Sequence, residues 1–178
     1  MAHRAAVEPV QAFVAVLAPA AADPAAVERE LGERLGALER CGEPVPFDHT
    51  GYYEAEMGPG LVRRFVALRE LMDPARLVEL KQECAALEDE LAVTGRRVVN
   101  LDPGYIDCNK VVLASYKFGG QKVHLRDGVY ADIVLLYARG RFEPFAWTFP
   151  DFAGGRHHRT LLQLRARLKA RRRALGPP

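Results

Sequence analysis

A chain of 178 residues, 49% hydrophobic and 27% charged, has the length and composition of a soluble globular protein with one full core. It contains no run of eighteen apolar residues, which excludes a membrane-spanning helix. The net charge of +2 hides an asymmetry: eight Lys/Arg and no acid lie from Arg156 onward, leaving 17 basic against 23 acidic residues before it. We read a single α+β domain over residues 1–178, with residues 156–178 as a basic C-terminal helix or tail within it. Cys41, Cys84 and Cys108 are widely spaced and lack any CxxC pattern, which points to reduced thiols in a cytosol.

In chain order, Gln11–Ala18 (QAFVAVLA) reads as a buried strand rather than the apolar region of a signal peptide. Glu8 precedes it, and a helix start, Asp23-Pro24, follows directly. That pair supplies an N-cap side chain and a proline at the first helical position. The helix then carries Val27, Leu31, Leu35 and Leu38 on one stripe, and the pattern predicts a stop near Cys41-Gly42. Between Pro44 and Gly60, Tyr52, Tyr53 and Met57 suggest a short strand. Leu61–Leu71 fits a strand and is also compatible with a helix. Asp73-Pro74 repeats the capping device, and Leu77, Leu80, Cys84, Leu87 and Leu91 form the core stripe of a second helix ending at Gly95.

From there the pattern turns to strands. Val98–Leu101 is followed by Asp102-Pro103-Gly104, which reads as a turn. Lys110–Lys117, Gln121–Leu125, Val129–Tyr137 and Phe142–Thr148 follow, with Asp127-Gly128 a tight-hairpin signal. Thr160–Arg173 closes the chain as an amphipathic helix. The order β-α-β-β-α-β, then hairpin-like strands, then a helix, predicts a ferredoxin-like core with an antiparallel β-hairpin extension.

Five phrases resemble a small prokaryotic family catalogued as domain of unknown function 4416, some of whose members are labelled GTP-binding. They are FDHTGYYEAEMG (Phe47–Gly58), NLDPGYI (Asn100–Ile106), KVVLASYK (Lys110–Lys117), HLRDGVYADIVL (His124–Leu135) and TFPDF (Thr148–Phe152). The family pattern has Glu at the position of Asp132, which keeps the charge and lengthens its reach. The resemblance implies no activity. A P-loop needs GxxxxGK[ST], so that backbone N–H groups cradle phosphates, and Gly119-Gly120-Gln121-Lys122 lacks both the spacing and the hydroxyl. Nucleotide binding by another route stays open.

Three constellations carry candidate chemistry. Lys110, Lys117, His124 and Arg126 with Ser115 lie on neighbouring strands, where cationic donors converging from one face would hold a phosphate or carboxylate. His124 and Arg126 share a face by strand alternation. The alternative is an exposed, solvated sheet face. Asp48, His49 and Thr50 with Glu54 and Glu56 offer a general base or, with Asp102 or Asp132, oxygen ligands for a divalent cation. Here the alternative is a capped turn over packed aromatics. His157-His158 reads as added positive charge or as no functional feature, since adjacent histidines point apart on a helix.

The leading expectation is binding of a phosphorylated, nucleotide-like small molecule. Asp102, His124 and Glu56 are the candidate catalytic groups for hydrolysis or transfer. Lys110, Ser115, Lys117, Arg126, Asp132 and Tyr105 are the candidate ligand contacts, and Mg2+ is the candidate cation. The alternative is a non-enzymatic RNA-binding or ribonucleoprotein accessory protein using the basic C-terminal helix, whose arginines would lie along a polyanion. An interaction module without small-molecule chemistry is a third option.

Overall fold

The first strand, β1 (Gln11–Pro19), explains the architecture, because both its faces are covered. Phe13 and Ala15 enter one apolar cluster with Phe65, Ala67, Ile106, Phe152, Leu161 and Leu164. Val14, Val16 and Ala18 enter another with Leu31, Val66, Cys84, Leu87 and Leu101. A strand apolar from Ala12 onward needs cover on both sides, and helices supply it. The structure, a computed structural model, describes residues 6–176.

The chain folds as a mixed α/β protein built on a large antiparallel sheet, closed by a C-terminal helix. After β1 come α1 (Pro24–Leu35), β2 (Leu38–Pro46), a single-turn α2 (Glu54–Met57), β3 (Leu61–Leu68) and α3 (Leu77–Leu91). Then follow β4 (Asn100–Ile106), β5 (Lys110–Ser115), β6 (Val123–Arg126), β7 (Val129–Ala138), β8 (Arg141–Pro144), a short α4 (Pro150–Ala153) and α5 (His158–Leu175). The strands lie in the order β2-β3-β1-β4-β5-β7-β6, with β8 also on β7. Helices α1 and α3 cover one face, and α4 and α5 cover the other.

Both Asp-Pro caps form as the residues dictate: Asp23 accepts from the Ala25 N–H and Asp73 from the Ala75 N–H. Two hairpins turn through left-handed pairs, Asp127-Gly128 and Arg139-Gly140, the backbone pattern of the tight β-hairpin. Among the described residues no helix is long and apolar enough to cross a membrane.

Four local expectations are corrected. Helix α1 stops at Leu35, not near Cys41, because Gly36 takes a φ of 91° and the chain turns into β2. Leu38 therefore belongs to a strand. Tyr52 and Tyr53 lead into α2 rather than a strand, so Glu54 and Glu56 do not share a strand face. Asp102-Pro103-Gly104 is no turn but the middle of β4, paired with Ala15, Val14 and Phe13. Finally, a register shift in β6 sets His124 opposite Tyr130 and Arg126 opposite Val129. Paired residues share a face and neighbours in β7 do not, so His124 and Arg126 face opposite sides.

Candidate functional site

Strand β3 carries Leu61, Arg63, Phe65 and Ala67 on the face that α4 and α5 cover, so alternation puts a guanidinium into the core. Arg63 is 4% exposed. Its Nη1 donates to Asp102 Oδ2 at 2.6 Å, and its Nη2 lies 3.1 Å from Asp151 Oδ2. Asn100 Nδ2 donates to the same Asp102 oxygen at 2.8 Å. Arg97 donates to Asn100 Oδ1 and makes a two-pronged contact with Glu56. Phe47 lies under the Arg63 guanidinium and Tyr53 under that of Arg97.

His157 completes this network from the start of α5. It is 1% exposed, set between the rings of Phe65 and Phe152, and its Nε2 is 3.9 Å from Asp151. Neither ring nitrogen has a hydrogen-bond partner among the described residues. Burial is the main cause that pushes its pKa down to about 4; Asp151 opposes this and Arg63 adds to it. The reading of His157 as added positive charge is thereby corrected: it is a neutral core imidazole. Glu56 is held below the usual carboxylate range by its hydrogen bonds from Arg97.

A second network adjoins the first. Asp132 on β7 is 1% exposed, and neither carboxylate oxygen accepts a hydrogen bond from any of the described residues. Lys122 Nζ stands 3.4 Å away, donating to Ser115 Oγ at 3.0 Å and the Lys117 carbonyl at 3.2 Å. The Lys122 ammonium lies over the Phe149 ring, and Lys117 reaches over Tyr52. Phe118 packs edge-on to Tyr130, which also meets the His124 ring. Tyr52, Phe118 and Phe149 are 64%, 78% and 45% exposed, which makes an aromatic rim around two lysines. The networks touch through the Tyr52–Tyr53 pair and through α4, whose Phe149 leans on Lys122 while Asp151 reaches Arg63.

The first network sets two arginines against three carboxylates; the second sets two lysines against one. Of the residues singled out by sequence, Ser115, Lys117, His124 and Asp132 gather in the second network, and Glu56 and Asp102 in the first. Lys110 and Tyr105 lie elsewhere, at the β4–β5 turn, with Lys110 paired to Asp107. Arg126 reaches the opposite side of the sheet, where it holds Glu79 of α3 and Asp127. No group of three or more metal-ligating side chains occurs among the described residues.

Arg63, Arg97, Asn100, Lys122 and Asp151 escaped the sequence reading. Arg63 left a signal: a charged residue in the apolar phase of a strand is either paired or functional. Lys122 left none, because its role depends on how the Gly119-Gly120 loop folds back.

A family model described as Domain of unknown function (DUF4416) matches residues 8–168. The chain belongs to this family. No curated protein and no solved structure matches it. The DUF4416 match takes in every residue of both networks, and the phrases that carried the resemblance now have a spatial meaning. Phe47–Gly58, Asn100–Ile106 and Thr148–Phe152 meet around Arg63, while Lys110–Lys117 and His124–Leu135 build the lysine site.

Proposed function

We propose that this DUF4416 protein binds a phosphorylated small molecule of nucleotide type at the aromatic-rimmed lysine site. The observation that carries the reading is the convergence of Lys117 and Lys122 with three exposed rings, Tyr52, Phe118 and Phe149. A ring face suits a base as an ammonium suits a phosphate. Asp132 adds support: a buried carboxylate that faces Lys122 at 3.4 Å, yet accepts no hydrogen bond among the described residues, can accept from ligand hydroxyls. Asp102 is committed to Arg63 and Asn100, and Glu56 to Arg97, so the reading is one of binding and assigns no chemical step.

The order β2-β3-β1-β4 of the first four strands fits a ferredoxin-like, split βαβ core, extended by β5 to β8. The three free thiols fit a reducing, cytosolic setting. The RNA-binding alternative would rest on Arg159, Lys169 and Arg173, the exposed cations of α5; the other five basic residues from Arg156 onward make contacts within the chain.

A thermal-shift panel of nucleotides, sugar phosphates, inorganic phosphate and short RNA tests this, because ligands of the native state raise the melting point by mass action. Nucleotides should stabilise the protein. Lys117→Ala should weaken them about tenfold, the scale of one lost charge-assisted contact. Phe118→Ala, at an exposed site, should weaken nucleotides more than sugar phosphates without changing the melting point of the free protein. No shift with any nucleotide, or affinities indifferent to both variants, would overturn the reading. A response to RNA alone would favour the basic helix.

A further inference from the structure

Lys110 and Tyr105, two residues the lysine site does not use, line a cleft of about 180 Å3 on the far side of the β4–β5 turn. Glu8, Asp107, Cys108 and Arg172 line it with them. The cleft is smaller than the usual drug-sized pocket of roughly 300 Å3 or more, so it suits a small molecule.

Its charges are not equivalent. Asp107 is structural: Oδ1 accepts from the Asn109 and Lys110 N–H groups, both at 2.7 Å, and Oδ2 pairs with Lys110 Nζ. Arg172 is aimed from α5 by its Nε, which donates to the Pro9 carbonyl at 2.8 Å. Its side chain is 18% exposed, and its Nη1 reaches both the Glu8 carboxylate and, at 3.7 Å, Cys108 Sγ. Glu8 differs from the rest: its side chain is 62% exposed, and among the described residues Arg172 is its hydrogen-bond partner. An exposed carboxylate on a positioned guanidinium is readily exchanged for another.

We propose that this cleft is a second binding site, for a small carboxylate-bearing molecule, with the Glu8 side chain as an internal stand-in for the ligand's carboxylate. Arg172 provides the carboxylate contact, Lys110 a second cation, and Tyr105 an apolar wall. Cys108 is the reporter, not the site. Cys41 and Cys84 are buried, and burial pushes the Cys84 thiol up to about 12, so Cys108 is the thiol that small reagents reach.

The test compares alkylation of Cys108 by iodoacetate and by neutral iodoacetamide, read by mass spectrometry of the intact, full-length chain. In both reactions the Cys108 thiolate forms a C–S bond as the C–I bond breaks, iodide leaves, and the thiol proton goes to solvent. Only iodoacetate carries the carboxylate that Arg172 would hold. The iodoacetate-to-iodoacetamide rate ratio, normalised to a free thiol, should be raised about tenfold, the equivalent of one added charge-assisted contact. Glu8→Gln should raise it further by removing the competitor. Arg172→Gln should abolish the preference while iodoacetamide still reacts, and Arg172→Lys should restore part of it. A ratio equal to that of the free thiol, or one indifferent to Glu8→Gln in a folded protein, would overturn the proposal. Because Lys117 and Phe118 take no part, failure here is separable from failure of the nucleotide reading.

Discussion

Arg63 and His157 divide a buried charge problem between them. Arg63 faces two carboxylates, Asp102 and Asp151, while His157 stays uncharged among Phe65, Phe152 and Asp151. A folded-state pKa near 4 against an ordinary 6.5 means that the unfolded chain binds a proton the native site refuses. Stability from this residue is therefore complete above about pH 6.5 and falls as the pH drops toward 4. Asp151, Arg63, His49 and Arg156 are the charged or titratable groups acting on it, and Asp151 alone favours the proton. Urea unfolding at pH 7 and pH 5 should show His157→Phe losing less stability than the parent chain, by roughly 1–2 kcal/mol. Parallel losses would mean that His157 does not titrate between the two states. Single residues were legible where polarity broke a pattern, as with Asp132 in a β7 run of apolar residues. Lys122 and Asp151 were not: Lys122 meets its partners only through the fold of the Gly119-Gly120 loop, and Asp151 takes Arg63 from a strand distant in sequence.

At the level of elements, the amphipathic helices α3 and α5 and the hairpin strands followed directly from periodicity and turn residues. Strand β4 did not, because Asp-Pro-Gly is a strong local turn signal. Tertiary pairing overrides it: β1 pairs along β4 from Gln11 to Leu17, and the β5 ladder begins at Gly104, just past the proline. Gly104 is needed for a packing reason as well. A Cβ there would stand 2.8 Å from Leu113 Cδ2, 3.2 Å from Phe13 Cζ, and closer still to the Val112 carbonyl. Gly104→Ala should therefore cost about 1–3 kcal/mol, the usual range for overpacking, although alanine is normally a mild change. Chemical denaturation would show it, and an unchanged midpoint would mean that β4 and β5 separate without penalty. Helix α2 was hidden for a different reason: four residues are too few to display a helical period.

For the whole molecule, the C-terminal helix is a structural layer as well as a basic one. Leu161, Leu164 and Leu168 are at most 1% exposed. Arg171 and Arg172 tie the helix to Gln11 and Pro9 at the start of β1, and Arg167 ties it to the Arg40 carbonyl on β2. Deleting residues from Arg156 onward should abolish cooperative thermal unfolding and raise binding of a hydrophobic dye, whatever the helix does for ligands. A truncated chain that melts sharply would show that the sheet stands without this layer. The arrangement also sets a timetable for synthesis. The face of β1 and β3 bearing Phe13 and Phe65 leaves the ribosome well before Leu161 and Leu164 of α5, which cover it. Long-range closure of this kind is slow and leaves apolar surface open to other chains in the interval. That face should thus depend on chaperones until α5 has emerged to cover it.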